Sequence, residues 1–416
     1  MNFIEELKWR GLVKDLTDEE GFLKQLEHPT AVYCGFDPTA DSLHIGHLQQ
    51  LILLKRYQLA GHLPITLIGG ATGAVGDPSG KSSERVLQSL EEIEHNVNGI
   101  KQQIERILDV QNYPIKVLNN FDWLSKISML ELMRDYGKHF NINTMLAKET
   151  VASRLDTGIS FTEFSYTVLQ AIDWLHLYEN YDCKVQIGGS DQWGNIISGI
   201  DLIRKVQGHE HQVFGITSPL ITKSDGSKFG KSEGGNVWLD PNRQSAYSFY
   251  QFWINVADED IEDFSKRLSL KPVDQLKEIF SQHQAAPHLR IAQKELASEL
   301  TELVFDKQAL QQALKVTETY FSGNLEALST QEIKMALEGA PRAAAKPEED
   351  LIEVLALSEF VKSKSEARAL IKQNSIFVNG EPVTDFDYKL LPDNAIEQQL
   401  FIVRRGKKKY LLIELK

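Results

Sequence analysis

The sequence predicts an α/β protein, in which a sheet of parallel strands is followed by a helical region and a small α+β module. Three observations predict it. Short apolar runs alternate with helical patterns over the first half of the chain, helical patterns alone fill the stretch from Gln244 to Gln312, and short helices and strands return near the end. The 416 residues are too many for one ordinary domain and suggest two or three.

The first half carries the strands of the predicted sheet. A strand at Ala31–Phe36 runs into Asp37 and Pro38, and a helical pattern follows from about Ser42. Because parallel strands bind ligands at their carboxyl ends, the polar and glycine-rich stretches after each strand are where chemistry is expected. The remaining predicted elements are strands at 64–68, 115–118, 183–187 and 213–216, and helices at 42–60 and 84–110.

The chain divides into four predicted regions. Residues 1–236 form the sheet domain and 237–338 the helical domain. Residues 339–350 contain two prolines and little periodicity, which indicates a linker. Residues 351–416 show turn signals at Asn379-Gly380 and Arg405-Gly406 and form the third module.

Composition excludes several classes of protein. With 42% hydrophobic and 25% charged residues, the chain is a typical globular sequence, and its net charge of −13 argues against nucleic-acid binding by the whole surface. The two cysteines have no zinc or disulfide spacing, so a reducing cytoplasm and no metal site are expected. Glu5 and Glu6 argue against a leader peptide, and no apolar run has the ~18 residues of a membrane helix.

The first polar site contains two histidines at a predicted helix start. His44 and His47 are three residues apart and lie on one face of the first turn, with Asp41 or Ser42 as the expected cap. A helix N-terminus favours phosphate, and two imidazoles there can donate to phosphate oxygens. Gly46 leaves room for a base or ribose. Alone, the pair is also consistent with two surface histidines.

The second polar site is the glycine-rich loop at 222–235. It carries Lys228 and Lys231, two compact positive charges suited to phosphates, followed by Ser232. In isolation an ordinary solvated loop is the simpler interpretation. A third candidate, Gly76-Asp-Pro-Ser-Gly80-Lys81-Ser82, looks like a nucleotide P-loop but has three residues between its glycines instead of four, so a P-loop enzyme is rejected.

Two further patterns lie in the second half of the sheet domain. Tyr166, Gln170 and Asp173 are spaced four and then three apart and form one polar stripe on an otherwise apolar helix, which by itself is typical of a solvent face. Gln186 is followed by Gly188-Gly189 and Asp191, a strand, glycine turn and acidic cap that can approach a ribose.

Together, His-Ile-Gly-His and the later Lys-Phe-Gly-Lys-Ser resemble the paired signature of class I aminoacyl-tRNA synthetases, and the chain resembles the bacterial tyrosyl-tRNA synthetases along its whole length. The second signature departs from the commonest form at Phe229-Gly230, where Met-Ser is frequent, but both lysines and the serine are kept. The resemblance implies a Rossmann-like catalytic domain, an all-helical anticodon-side domain and an RNA-binding module of the ribosomal small-subunit type.

The resemblance also implies roles for individual residues. The catalytic set is His44, His47, Lys228, Lys231, Ser232, Lys81 and Arg85. The tyrosine site is Tyr33, Asp77, Tyr166, Gln170, Asp173 and Gln186, with Asp173 and Tyr33 meeting the phenolic hydroxyl. The ATP site is Gly35, Asp37, Thr39, His44, Gly46, His47, Gly189, Asp191, Gln192 and Lys231.

The last module is expected to contact tRNA. Residues 346–416 contain 12 Lys/Arg and 12 Asp/Glu, so the module is neutral and its positive charge is clustered. A solvated helix face remains the alternative, and Ala369 stands where the family often has a second basic residue. The expected contacts are Lys362, Lys364, Arg368, Lys372, Arg404 and Arg405.

The implied reaction joins L-tyrosine to tRNA(Tyr) in two steps through a tyrosyl-adenylate, with ATP as a substrate, Mg²⁺ bound to the ATP, and a homodimer as the working form. Two alternatives remain. A tryptophan-charging relative is disfavoured by Tyr33 and Asp173, because indole offers one N–H and no acceptor. A non-catalytic RNA-binding protein is disfavoured because both histidines and both lysines are present.

Overall fold

The structure is a computed structural model that describes residues 1–79, 87–156, 158–224, 226, 229–232, 235–322, 325–406 and 409–416, without the side chains of 149, 231–232 and 321–322. The helices are α1 Phe3–Trp9, α2 Glu19–Gln25, α3 Ile45–Leu59, α4 Leu90–Ile107, α5 Phe121–Leu124, α6 Met129–Glu131, α7 Ile142–Leu146, α8 Glu149–Ala152, α9 Phe161–Tyr181, α10 Trp193–Gln207, α11 Ala246–Ile254, α12 Asp258–Leu268, α13 Val273–Ala285, α14 Ile291–Val304, α15 Lys307–Ser322, α16 Thr330–Ala336, α17 Leu351–Leu357 and α18 Lys364–Lys372.

The strands are β1 Asp15–Leu16, β2 Ala31–Phe36, β3 Leu63–Ile68, β4 Lys116–Asn119, β5 Cys183–Gly189, β6 Phe214–Ser218, β7 Lys231–Ser232, β8 Gly235–Asn236, β9 Arg342–Ala345, β10 Ile376–Val378, β11 Glu381–Pro382, β12 Leu400–Arg405 and β13 Lys409–Leu415. The chain forms two compact units. The first contains Met1–Arg243 and Ile254–Leu300, and the second contains Gln244–Trp253 and Thr301–Lys416.

The first unit is built on a six-stranded sheet in the order β1-β6-β5-β2-β3-β4. The predicted parallel sheet is confirmed for β2 to β6, whose central strands are buried on both faces as parallel strands require. The two-residue β1 pairs antiparallel with β6 and was not predicted, because it is too short to show a pattern. The strand order reverses between β2 and β5, and this reversal opens a crevice at their carboxyl ends.

Two helices bring side chains to that crevice. Helix α3 follows β2 directly and is buried on nearly all sides, so its first turn is held firmly at the sheet edge. Helix α9 is capped at its start by Ser160, whose side chain accepts from the Glu163 N–H, and at its end by Asp182 in the left-handed conformation. Gly199 of α10 faces Trp174 of α9, where a Cβ would come within 2.6 Å of the indole. The glycine therefore lets α9 and α10 pack closely.

The helical pattern predicted from Gln244 to Gln312 is confirmed by α11 to α15. Helix α12 buries Ile261, Phe264 and Leu268 on one face and carries three acidic residues in its first turn, where they complement the helix dipole.

The second unit contains a five-stranded sheet in the order β11-β10-β12-β13-β9. Because side chains alternate along a strand, the sheet has two apolar faces. Phe401 and Val403 belong to a core with α17 and α18, whereas Leu400 and Ile402 belong to a core with residues of α15 and α16 such as Val316. Helices therefore pack against both faces of the sheet.

The segment predicted to be a linker contains the edge strand β9, Arg342–Ala345, which pairs parallel with β13. The strand is short and rich in alanine, so it carries none of the β-branched or aromatic residues that mark a strand in sequence. The hydrogen bonds with β13 therefore stabilise the extended conformation of β9, to which its side chains contribute little.

In the described part of the chain, no helix combines the length and the apolar character needed to cross a membrane.

Candidate functional site

A cavity of about 410 Å³ opens at the carboxyl ends of β2 and β5, where the strand order reverses. Its wall also includes the first turn of α3, the loop after β3 and one face of α9. The cavity brings together residues that are far apart in sequence. Those that were predicted from sequence and line it are Tyr33, Asp77, Tyr166, Gln170, Asp173 and Gln186, and Gly35, Asp37, Thr39, His44, Gly46, His47, Gly189, Asp191 and Gln192.

A buried carboxylate, Asp173 of α9, is held by two side chains that follow β4. Its Oδ2 accepts from Asn120 Nδ2 at 2.9 Å and its Oδ1 accepts from Trp123 Nε1 at 2.8 Å. Only 1% of Asp173 is exposed. Burial raises the pKa of Asp173 to about 8, although the two donors act in the opposite direction. Asp173, Tyr33, Asn120 and Trp123 are called the aspartate cluster below.

Tyr33 of β2 completes this cluster. It lies between Ile65 of β3 and Gln186 of β5 in the sheet register, and its ring packs edge-on against Trp174 at 5.8 Å. Within the described residues, its buried hydroxyl has no hydrogen-bond partner. Burial, and next the nearby charge of Asp173, raise the pKa of Tyr33. A neutral hydroxyl without a partner at a cavity wall is suited to a polar guest, because an unpaired buried polar group is costly.

Three further carboxylates line the middle of the cavity. Tyr166 Oη donates to Asp37 Oδ2 at 3.0 Å, and Gln192 Nε2 donates to Asp77 Oδ2 at 2.7 Å and to Asp191 Oδ2 at 3.1 Å. Burial raises the pKa of Asp191, and the charge of Asp77 adds to the effect. So much negative charge in one partly buried place favours a cationic group such as an ammonium.

Two of the predicted residues near these acids have their amide groups available to a ligand. Gln170 of α9 and Gln186 of β5 both line the cavity. The Gln186 Oε1 atom is buried and has no partner among the described residues. An amide in this position can accept from a bound N–H or O–H group.

The histidine pair, His44 and His47, lies at the start of α3. His44 is itself the N-cap, and its Nδ1 accepts from the Gly46 N–H at 3.0 Å. His47 Nδ1 accepts from the His44 N–H at 3.3 Å. Since both Nδ1 atoms accept, the ring proton of each neutral imidazole is on Nε2, which can donate to a ligand. Burial lowers the pKa of His44, so this ring is neutral near pH 7.

The capping arrangement corrects one prediction. Asp41 or Ser42 was expected to cap the helix, but α3 begins at Ile45, and Ser42 Oγ donates to the Leu43 carbonyl instead. The chain from Leu43 to Ile45 pairs antiparallel with residues 237–239, which delays the first helical turn. His44 then takes the cap position.

Glycines leave space on the cavity wall. A Cβ at Gly35 would meet only the Leu67 carbonyl, at 4.0 Å, so that the wall is open there to a ligand. A Cβ at Gly46 would come within 2.7 Å of the His44 ring, so the glycine is what permits the ring to fold over the helix start.

Several predicted site residues cannot be positioned. Lys81, Arg85 and Lys228 lie outside the described residues. Lys231 and Ser232 are described by their backbone alone, which forms β7 and pairs with β8. Their neighbours Phe229 and Gly230 are described and buried.

The predicted tRNA contacts all lie in the second unit, on α18, just before it and at the end of β12. Lys364, Arg368 and Lys372 are exposed and four residues apart on α18, so they share one face of that helix. Arg405 Nη2 donates to Glu366 Oε1 at 2.8 Å and is half-buried, which ties β12 to α18. Arg404 lies over the Phe377 ring at 3.9 Å, and Lys362 is exposed just before α18.

Sequence reasoning missed Asn120, Trp123 and Thr72. Asn120 Nδ2 also donates to Thr72 Oγ1, and Thr72 Oγ1 donates to Asp37 Oδ1, both at 2.9 Å, so these residues link Asp173 to Asp37. The available signal was Asn119-Asn120, two polar residues directly after the predicted strand at 115–118.

Among the described residues, no group of three or more His, Cys, Asp or Glu side chains has the geometry of a metal site.

Comparison with known proteins gives the context of this cavity. The family model for class I tRNA synthetases (W and Y) matches residues 24–322, and that for the tyrosine–tRNA ligase SYY-like C-terminal domain matches residues 332–413. The chain is 49% identical over its full length to the full-length tyrosine–tRNA ligase 2 of Bacillus cereus and tyrosine–tRNA ligase of Listeria monocytogenes. A C-terminally truncated mitochondrial tyrosyl-tRNA synthetase of Aspergillus nidulans superposes with a TM-score of 0.69 at 30% identity, covering 77% of this chain and 94% of that one.

Proposed function

The chain belongs to the class I tRNA synthetases for tryptophan and tyrosine, and from this premise we propose how its own residues carry out the reaction. It attaches L-tyrosine to tRNA(Tyr) with ATP, through a tyrosyl-adenylate and with release of pyrophosphate and AMP. The assignment of the cavity rests on the aspartate cluster, in which a buried carboxylate lies beside a hydroxyl that has no partner in the described part of the chain. The full-length tyrosine–tRNA ligase relatives make tryptophan the weaker alternative.

We propose that the aspartate cluster binds the phenolic hydroxyl of tyrosine. The guest hydroxyl bonds Asp173 and also gives a partner to Tyr33 Oη, which has none among the described residues. Phenylalanine would occupy the same space, offer no hydroxyl to Asp173 and leave Tyr33 Oη unpaired, and a buried polar group without a partner costs about 1–3 kcal/mol. Tryptophan has one N–H and no acceptor, so it can satisfy only one of the two.

The carboxylates in the middle of the cavity are suited to the α-ammonium group. Asp77 bonds it directly in this proposal, with Tyr166 Oη and the Gln170 and Gln186 amides as further partners. The hydrogen bond from Tyr166 to Asp37 and the bond from Gln192 to Asp77 hold the acceptors in place before the substrate arrives. The tyrosine carboxylate then faces the histidine pair.

In the first step, an oxygen of the tyrosine carboxylate attacks the α-phosphorus of ATP. The new bond joins this oxygen to phosphorus, the bond from phosphorus to the bridging oxygen breaks, and pyrophosphate leaves with the electron pair. A carboxylate with a pKa of about 3.5 is already ionised, so no general base is needed. Catalysis therefore rests on positioning and on stabilisation of the charge on the departing pyrophosphate.

We propose that the Nε2–H groups of His44 and His47 supply part of that stabilisation, together with Lys228, Lys231, Ser232, Lys81 and Arg85. In the neutral state of His44, Nδ1 accepts from the Gly46 N–H, so that the ring proton stands on Nε2 and can be donated to the pyrophosphate. Gly35, Thr39, Gly46, Gly189, Asp191 and Gln192 are proposed to hold the adenosine.

In the second step, a terminal ribose hydroxyl of tRNA attacks the acyl carbon of the adenylate, and the bond between that carbon and the phosphate oxygen breaks to release AMP. We propose that the exposed face of α18 and its lead-in, together with Arg404, contact the tRNA backbone. A local cluster of this kind makes binding salt-dependent although the whole chain carries a net charge of −13.

We propose that Mg²⁺ enters with ATP. This ion prefers phosphate oxygens and water and needs few protein ligands. Two acidic residues of the cavity, Asp77 and Asp191, already accept hydrogen bonds from Gln192. They are therefore better suited to the ammonium and ribose than to a metal.

We propose a homodimer in which a second copy of the chain covers an apolar surface between β4 and α9. Soluble monomers rarely expose many large apolar side chains in one segment. An Arg154–Glu163 ion pair, buried at 3.0 Å between Nη2 and Oε2, fixes the end of this segment. Substitution of Leu130 with Glu is expected to give monomers in light scattering, and an unchanged mass would contradict the proposal. The exposed residues are Met129, Leu130, Met133, Ile142, Leu155 and Phe161.

The roles that we propose for the parts of the chain follow the predicted domains. Residues 1–236 carry both chemical steps, 237–338 form the anticodon-side domain, and 351–416 bind RNA, with β9 added to the module from the predicted linker 339–350. The location proposed is the cytoplasm, where Cys34 and Cys183 remain the buried thiols that they are here.

The experiment that tests the site is tyrosine-dependent ATP–pyrophosphate exchange, run beside tryptophan and phenylalanine. Exchange with tyrosine alone is the expected result. Exchange with tryptophan would overturn the roles of Tyr33 and Asp173, and no exchange with any amino acid would favour a non-catalytic RNA-binding protein.

A further inference from the structure

The lysine loop, defined as residues 222–232, is attached at two described points to helix α12. The Ser224 N–H donates to Asp260 Oδ1 at 2.8 Å, and the Phe229 ring packs against the Phe264 ring with centroids 4.5 Å apart. Asp260 and Phe264 are both buried, and they lie four residues apart on one face of α12. The two attachment points bracket Lys228, and Phe229 is two residues before Lys231.

On its other side, the same loop contacts the start of the catalytic helix α3. Gly230 has φ of +95°, a conformation that L side chains rarely adopt, and a Cβ there would come within 3.1 Å of Ile45. The Val237 N–H donates to the Gly230 carbonyl at 3.2 Å, and the Ile45 N–H donates to the Val237 carbonyl at 3.0 Å. The dipeptide Phe229-Gly230 therefore lies between α12 and the residue that follows His44.

The carboxyl end of α12 is fixed to the far end of α3 and to α1. Arg10 donates from Nη1 to the carbonyls of Lys266 and Ser269, both at 3.1 Å. Arg56 of α3 donates to the same Ser269 carbonyl. Glu6 accepts from Arg10 Nε at 2.7 Å, so both buried guanidinium groups share one carboxylate nearby. Bonds of this kind satisfy the carbonyls at a helix end and lock it in place.

We propose that Asp260 and Phe264 are positioning residues for the adenylate-forming step: α12 holds the lysine loop at Ser224 and Phe229, and the loop lysines need this hold to act on the departing pyrophosphate. Neither residue lines the cavity, so neither touches a substrate there. The proposal rests on the proposed function of the loop lysines. It also gives the departure from Met-Ser at Phe229-Gly230 a physical role, since Phe229 supplies the ring contact and Gly230 the close approach to Ile45.

The test measures ATP–pyrophosphate exchange with the full chain for Phe264→Leu, Asp260→Ala and Asp260→Asn. Phe264→Leu and Asp260→Ala are expected to lower kcat by roughly tenfold or more, because small displacements of catalytic groups cost one to two orders of magnitude in rate. The KM for tyrosine should stay unchanged. Asp260→Asn keeps an acceptor oxygen for the Ser224 N–H and is expected to restore most of the rate.

A double-mutant cycle distinguishes positioning from general destabilisation. Phe229→Leu and Phe264→Leu should each lower kcat, and the double variant should be no slower than the slower single variant, because both remove one contact. Phe280→Leu is the matched control, since Phe280 is a buried phenylalanine of the next helix, α13, and its loss should lower the melting temperature while kcat stays unchanged. Independent, multiplicative losses of rate in the cycle would overturn the proposal.

Lys231→Ala separates failure of this inference from failure of the proposed function. If Lys231→Ala exchanges pyrophosphate at the wild-type rate, the role of the loop lysines is wrong and the inference falls with it. If Lys231→Ala is slow while Phe264→Leu and Asp260→Ala keep the wild-type kcat, the lysines act as proposed and α12 does not position them.

Discussion

The aspartate cluster and the histidine pair line the same cavity but are built in different ways. Asp173 and Tyr33 are almost completely buried, and the carboxylate is held by side chains from a separate part of the chain, Asn120 and Trp123. His44 and His47 are partly exposed, and their Nδ1 atoms accept from backbone N–H groups of their own helix turn. The hydrogen bonds of the first arrangement come from distant side chains, whereas those of the second stay within one helix turn, which the pairing of residues 43–45 with 237–239 places.

The difference indicates what each group can do. In a buried site every unmatched polar atom is costly, so the aspartate cluster discriminates between guests by what they leave unpaired. A partly exposed pair of imidazoles at a helix start discriminates little, but it is pre-oriented toward charge that develops in the reaction. Changes in the aspartate cluster should therefore act on tyrosine binding, and changes in the histidine pair should act on rate.

The largest effect is expected for Asp173→Ala. The substitution removes the proposed acceptor of the phenolic hydroxyl and leaves Asn120 Nδ2 and Trp123 Nε1 without their acceptor. A buried guest hydroxyl without its acceptor costs up to about 3 kcal/mol, so kcat/KM for tyrosine should fall by roughly 10²-fold or more in pyrophosphate exchange, while the KM for ATP stays the same. If the KM for ATP also rises, the substitution acts through folding and not through the binding of tyrosine.

His44→Asn should have the next largest effect, and on rate alone. Asparagine is a good N-cap and replaces the bond to the Gly46 N–H, but it offers no donor at the position of Nε2. Loss of one donor to developing charge lowers kcat by roughly 10²-fold. Stopped-flow measurement of adenylate formation checks the rate.

The matched variant is His44→Ala. It loses the cap as well as the donor, so it should be as slow as His44→Asn and also less stable by about 1 kcal/mol. If His44→Asn raises the KM for tyrosine instead of lowering kcat, the histidine pair acts on binding, and its distinction from the aspartate cluster is wrong.

The pH dependence of stability is the third test. The pKa of Asp173 is about 8 in the folded chain, against about 3.9 in an unfolded one. Between these values the folded state binds more protons than the unfolded state, so the free energy of unfolding falls as pH rises, by up to about 1.4 kcal/mol per pH unit from this group.

Asp173→Asn does not titrate and removes this component. The difference in free energy of unfolding between wild type and Asp173→Asn, followed by chemical denaturation, should therefore shift against the wild type as pH rises from about 5 to about 8. A constant difference would show that the carboxylate is already ionised at low pH and that its two donors outweigh its burial.

The contrast between the two groups also explains what sequence could predict. The strands of the parallel sheet and the helical stretch follow periodicity and turn chemistry, which are local signals, whereas the roles of the site residues came from the resemblance to the synthetase family. The cap at His44 was missed because its cause, the pairing of residues 43–45 with 237–239, is distant in sequence. Asn120 and Trp123 were missed for the same reason: only the folded chain brings the end of β4 to Asp173. Strand β9 could not be predicted from its own residues, because it is stabilised by pairing with β13, which is distant in sequence.

The smallest effect is expected for Trp123→Phe, and it tests whether the support of Asp173 matters as well as Asp173 itself. The ring still stacks near His176, whose ring lies 4.2 Å from that of Trp123, but Asp173 Oδ1 loses its N–H donor. Because that bond lowers the pKa of Asp173, its loss should raise the pKa above about 8. A net hydrogen bond of about 1 kcal/mol corresponds to a rise of roughly fivefold in the KM for tyrosine, with kcat unchanged. An altered kcat with an unchanged KM would place Trp123 in the chemical step and would remove the contrast between a binding cluster and a rate-determining pair.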